Sequence, residues 1–137
     1  MKIKQIANYL QNKLLKAGFT VHRYNAYSTC SIYLKLDYGA CNSIRISDHK
    51  GYDHLSYKYE VNQKFVKSGW SKDNHGFWRY HCKPDIASID SLIELIKNDR
   101  DYKKCFYNYP DIVAYNVEQS KNSKGFWEKC EEVKLDV

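Results

Sequence analysis

Residues 44–59 read IRISDHKGYDHLSYKY, and their centre sets two Asp-His pairs, Asp48-His49 and Asp53-His54, five residues apart. Carboxylate and imidazole are ordinary ligands for zinc or manganese. A divalent ion held there, with His49 or His54 beside it, would activate a water. A metal-dependent nuclease built this way would use Asp48, His49 and His54, with Asp53 as a further ligand. The spacing, however, matches neither His-Glu-x-x-His nor a paired-carboxylate pattern followed by a strand lysine. The same residues also make a polar turn. Gly51 supplies a positive φ, and Asp48, with Ser47 more weakly, can accept hydrogen bonds from backbone amides two residues on. The turn accounts for Ser47, Asp48 and Gly51 without chemistry, so the expectation is no catalytic residue, no metal and no cofactor.

Other reactive side chains fare no better. In HGFWRYHCK (75–83) His81 and Cys82 are adjacent, so on a strand they point to opposite faces and cannot converge on a metal or a nucleophile pair. No Gly-x-Ser-x-Gly and no Gly-x-x-x-x-Gly-Lys occurs. The five cysteines, Cys30, Cys41, Cys82, Cys105 and Cys130, are odd in number and form no Cys-x-x-Cys pair. That usage fits a reducing cytosol better than a disulfide framework.

The elements that would carry these residues follow from periodicity. Ile3, Ile6, Ala7, Leu10, Leu14 and Ala17 recur at helical spacing over residues 2–17, and Gly18 ends the helix. Its polar interruptions make it an amphipathic helix rather than a signal peptide. Alternation then predicts strands at 19–25, 31–37, 42–47, 54–61 and 76–82. Ile32, Leu34 and Leu36 point inward against Tyr33 and Lys35 outward, and Ile44 and Ile46 inward against Arg45 outward. The two strands read as a hairpin around Tyr38-Gly39-Ala40, and Leu55, Tyr57, Tyr59 and Val61 share the next buried face. Residues 62–75 read as a polar loop. Pro84 introduces a helix over 85–98, capped by Asp85 or Ser88 and carrying Ile86, Ile89, Leu92, Ile93 and Ile96. Beyond Arg100 the pattern weakens: 111–119 reads as helix after Pro110, and the last segment as a short helix or extended chain. The expectation is one α+β domain over 1–137. An N-terminal helix precedes a four- to five-stranded antiparallel sheet, and the C-terminal helices pack on one face.

Charge is uneven along this plan. Residues 1–65 hold ten Lys/Arg and four Asp/Glu, a net of 10 − 4 = +6, and residues 66–137 hold twelve of each. Such asymmetry points to an anionic partner, nucleic acid or an acidic protein face. No apolar run approaches the roughly 20 residues a membrane span needs, so no membrane partner is expected. Outward Lys35, Arg45 and Lys58 fall on adjacent strands beside Tyr33, and single-strand binders hold backbone and stack bases on such a basic, aromatic face. With the connection at Asp48, His49 and Lys50, they form the expected contact surface. The helix–strands–helix order is shared with double-stranded-RNA-binding domains, but PDIASIDS (84–91) is acidic where such a domain presents a lysine cluster.

The pattern R-I-S-D-H-K-G-x-x-H-L-x-Y-x-Y, Arg45 to Tyr59, with SIYLKLDYG and CNSI before it, resembles small proteins of phages and mobile elements of Gram-positive bacteria. The resemblance covers about residues 19–61 and carries over no catalytic residue. It implies an accessory gene of a mobile element, a setting that includes inhibitors of host defence such as anti-CRISPR proteins. Mimicry of DNA by an acidic surface is disfavoured by the net charge of +6. A basic inhibitor would instead dock on an acidic protein surface or on nucleic acid held by a Cas-type nuclease complex. Abundant Tyr and Trp, with Arg45 and Arg79, would anchor such an interface. The leading expectation is therefore a non-enzymatic, cytoplasmic inhibitor of a host defence complex in the bacterial cell. A stand-alone nucleic-acid-binding protein is the alternative and the metal-dependent nuclease a third. Tyr-rich edge strands would equally allow a homodimer.

Overall fold

A computed structural model describes residues 2–26, 30–48, 54–60, 63–67 and 78–135. Helix α1 (Ile3–Lys16) buries Ile6, Ala7, Leu10 and Leu14 on one stripe and keeps Lys13 and Lys16 in its last turn, where they complement the helix dipole. It ends in a Schellman arrangement: the Gly18 amide donates to the Leu15 carbonyl and the Phe19 amide to that of Leu14, both at 3.0 Å. Gly18 sits at φ +89°, a conformation that costs glycine nothing.

Strands β1 (Val21–Ala26), β2 (Ser31–Leu36), β3 (Ser43–Ser47), β4 (His54–Tyr59) and β5 (Trp78–His81) follow as an antiparallel meander. A short 3-10 turn, Asp37–Gly39, joins β2 to β3. Helices α2 (Ile86–Phe106), α3 (Tyr109–Lys121) and α4 (Phe126–Lys129) come next, and the chain closes with β6 (Glu131–Val133). The class is α+β as expected, with a sixth strand. Strand β6 pairs antiparallel with β1 and extends the order to β5-β4-β3-β2-β1-β6. Among the described residues no helix is long and apolar enough to cross a membrane.

One face of the sheet is apolar. Ile32, Leu34, Leu36, Ile44, Ile46, Leu55, Tyr57 and Tyr59 pack there against the α1 stripe and against Ile89, Leu92, Ile93 and Ile96 of α2. Arg23, on the same face, donates to the side chains of Asn8 and Gln11 and pins α1 to β1. Asp85 caps α2, its carboxylate accepting from the Ser88 amide at 2.9 Å.

Helix α2 runs eight residues past the expected end at 98, and polar tertiary contacts explain why. Arg100 donates to the Ala17 carbonyl at 2.9 Å and lies over the Phe19 ring. Lys103, only 3% exposed, donates to the carbonyls of Ala40 at 2.8 Å and Glu60 at 3.0 Å. Its burial holds the ammonium below the ordinary lysine range. Residue 103 is thus a core position filled by lysine, which apolar periodicity cannot register. Tyr109 donates to the buried Asp37 carboxylate, which also accepts from the Thr20 amide at 2.8 Å. These bonds fasten α3 to the β2–β3 turn, around a small cluster of Ala40, Tyr107, Tyr109 and Ile112.

Truncation should separate core from surface. Leu34→Ala removes a fully buried side chain and is expected to cost about 2–5 kcal/mol in urea denaturation. Ile86→Ala, at a residue 54% exposed, should stay within about 0.5 kcal/mol of the parent.

Candidate functional site

The opposite face of the sheet is polar. Cross-strand pairing places Tyr24, Tyr33, Arg45, Ser56 and His81 in one row across β1 to β5. The neighbouring row reads His22, Lys35, Ser43, Lys58 and Arg79. Helix α4 lies over this face rather than the helical one, held by β6 at the edge beyond β1. Gly125 opens it at φ +82°.

Together these elements enclose a cleft of about 600 Å3. Tyr24, Tyr33, Lys35, Arg45, Lys58 and Arg79 line it from the sheet, and Phe126 and Lys129 from α4. The hollow exists because small residues, Ala26, Ser43 and Ser56, floor it between long side chains. Five of the lining residues are basic, and none of the described ones is a carboxylate. Lys58 and Arg79 also engage groups of the protein itself. The described acids Asp85, Asp90, Glu94 and Asp101 are exposed on α2, which packs against the other face. The cleft lining is thus basic, whereas the helical face carries both signs, with Lys4, Lys13 and Lys16 exposed on α1 beside those acids.

Aromatic rings organise the cations. Arg45 lies 6.0 Å from the Tyr33 ring centre and Lys129 5.9 Å from that of Tyr24. The Lys35 ammonium is 4.4 Å from the Phe126 ring and 4.9 Å from that of Trp127. Burial there draws Lys35 below the ordinary lysine range. Such cation–ring contacts contribute about 0.5–2 kcal/mol each, depending on desolvation. Trp127 also stacks on Tyr38 at 6.0 Å and meets His22 edge-on at 5.1 Å. His22 is buried among these rings, 3.8 Å from the Glu132 carboxylate of β6.

Of the residues expected to form the contact surface, Tyr33, Lys35, Arg45 and Lys58 come together in the cleft. Asp48 is exposed one residue beyond β3. His49, Lys50 and Asp53 lie outside the described residues, as do Gly51 and Val61. His54 is described only in its backbone, opposite Ser47. His81 is exposed while Cys82 packs against the core, the opposed orientation that adjacency predicted. Among the described residues no group of three His, Cys, Asp or Glu could hold a metal ion. Sequence reading passed over Tyr24, Phe126 and Lys129. The one available signal was Gly125-Phe126-Trp127, an aromatic pair on no apolar period. Comparison with protein-family models, with curated proteins and with solved structures found no match.

The α4 anchor should be sensitive to acid through His22. Burial, opposed in part by Glu132 and aided by Lys35, lowers its pKa below the ordinary 6.5. Between the folded value and 6.5 the unfolded chain binds more protons, so stability rises with pH in that window and falls on acidification. Urea midpoints at pH 7 and pH 5 should therefore differ more for the parent protein than for His22→Phe. Equal differences would contradict a buried neutral imidazole.

Proposed function

We propose that this chain is a non-enzymatic nucleic-acid-binding protein of a mobile element. In this reading it blocks a host defence complex by engaging, through the basic cleft, the nucleic acid that the complex holds. One observation carries the binding reading: five basic side chains and the rings of Tyr24, Tyr33 and Phe126 surround a single cleft. Lys and Arg neutralise phosphates, and flat rings stack on bases at about 1–3 kcal/mol per base. Base faces are reachable only where bases are unstacked, so the arrangement suits single strands rather than duplex. The defence setting rests on the resemblance of residues 19–61 to small proteins of phages and mobile elements. A basic inhibitor of that kind has the right charge for guide or displaced strands in an effector complex.

The test is titration of a labelled single-stranded oligonucleotide at several salt concentrations. Each phosphate contact on a single strand contributes about −0.7 to the slope of log affinity against log salt. With up to five cations engaged, the expected slope is about −2 to −3.5. The triple variant Arg45→Glu, Lys58→Glu, Arg79→Glu should weaken binding at least roughly 100-fold with an unchanged circular dichroism spectrum. Unchanged affinity in that variant, or no binding by the parent, would overturn the proposal.

A further inference from the structure

Resting on that nucleic-acid reading, we infer that the cleft receives the end of a single strand rather than its middle. The first reason is the wall. Strand β6 sits outside β1 and returns α4 over the polar face, so Gly125, Phe126 and Lys129 bound the cleft on its β1 side. Phe126 meets Tyr24 at 6.1 Å, and Trp127 occupies the neighbouring position over His22 and Tyr38. Both cross-sheet rows, the one ending at Tyr24 and the one ending at His22, are thus covered at their β1 end. A strand crossing the sheet from β5 would stop at this wall.

The second reason is the order of side chains along that path. The rings of Tyr24, Tyr33 and Phe126 gather at the walled end. From there the cations step outward as Lys35 on β2, Arg45 on β3, Lys58 on β4 and Arg79 on β5. The three strand-to-strand steps span about 14 Å at the usual spacing. A terminal base would lie against the rings and its backbone would lead out over the cations. The fifth cation, Lys129, stays with the rings at 5.9 Å from that of Tyr24, and α4 bars the track that a mid-strand site would need beyond them.

The third reason is size. A volume of about 600 Å3 falls within the roughly 300–1,000 Å3 of clefts that enclose a compact ligand.

Topology of the probe decides the matter. The same single-stranded DNA of about 40 nucleotides, labelled internally, is prepared linear and closed into a circle. At that length closure barely restricts a site of about 4–16 nucleotides. The linear strand should bind and the circle should bind at least roughly tenfold more weakly. Saturation of the linear strand should stop at no more than one protein per end, however long the strand is made. Equal affinity for circle and line would overturn the inference while leaving nucleic-acid binding in place. No binding to either would remove the underlying reading and the inference with it.

Discussion

Side chains alternate across a β-strand, so any register that turns one set to the core turns the other to the opposite face. In β2, β3 and β4 the buried set is Ile32, Leu34, Leu36, Ile44, Ile46, Leu55, Tyr57 and Tyr59, covered by α1 and α2. Burial of that set drives folding, at about 1.5–3 kcal/mol for each fully buried large apolar side chain. The same register leaves Tyr33, Lys35, Arg45, Ser56 and Lys58 together on the far side. A slip of one residue in any of these strands would carry cations into the core. The basic face is thus a consequence of the hydrophobic core, and it is as well specified as the core itself.

A polar face alone is flat. What turns it into a cleft is the C-terminal segment, in which a three-residue strand at the sheet edge carries a single helical turn back over β1. The Lys35 ammonium lies against the rings of Phe126 and Trp127, Phe126 meets Tyr24 and Trp127 meets His22 and Tyr38, so ring contacts hold the clip together with the β1–β6 pairing. Small residues at 26, 43 and 56 keep the floor low beneath it. Removing either feature would leave the cations in place but without a hollow to line.

Strands β2, β3 and β4 and helix α1 were legible because period-2 and period-3.6 patterns run through them without interruption. The cations of the face were legible for the same reason, being the complement of an apolar alternation. Two features were hidden. The extension of α2 to Phe106 depends on Arg100 and Lys103 finding carbonyl partners on distant segments, and a buried lysine has no apolar signature. Strand β6, Glu131-Glu132-Val133, is short and acidic, and only its pairing with β1 makes it a strand. Lys129 and Phe126 were missed with it, since nothing local joins residue 126 to residue 24. Of the Asp-His pairs at 48–49 and 53–54, His49, Asp53 and the side chain of His54 lie outside the described residues.

Under the proposed function, ligand contact is confined to the concave basic face. Backbone amide resonances followed by heteronuclear NMR during titration with a short single-stranded oligonucleotide test it most directly. Saturable shifts are expected at Tyr24, Tyr33, Arg45, Lys58, Arg79 and the α4 residues Phe126 and Lys129, with α2 unmoved. Shifts concentrated on the exposed side of α2 or on α3, with the sheet face silent, would contradict it.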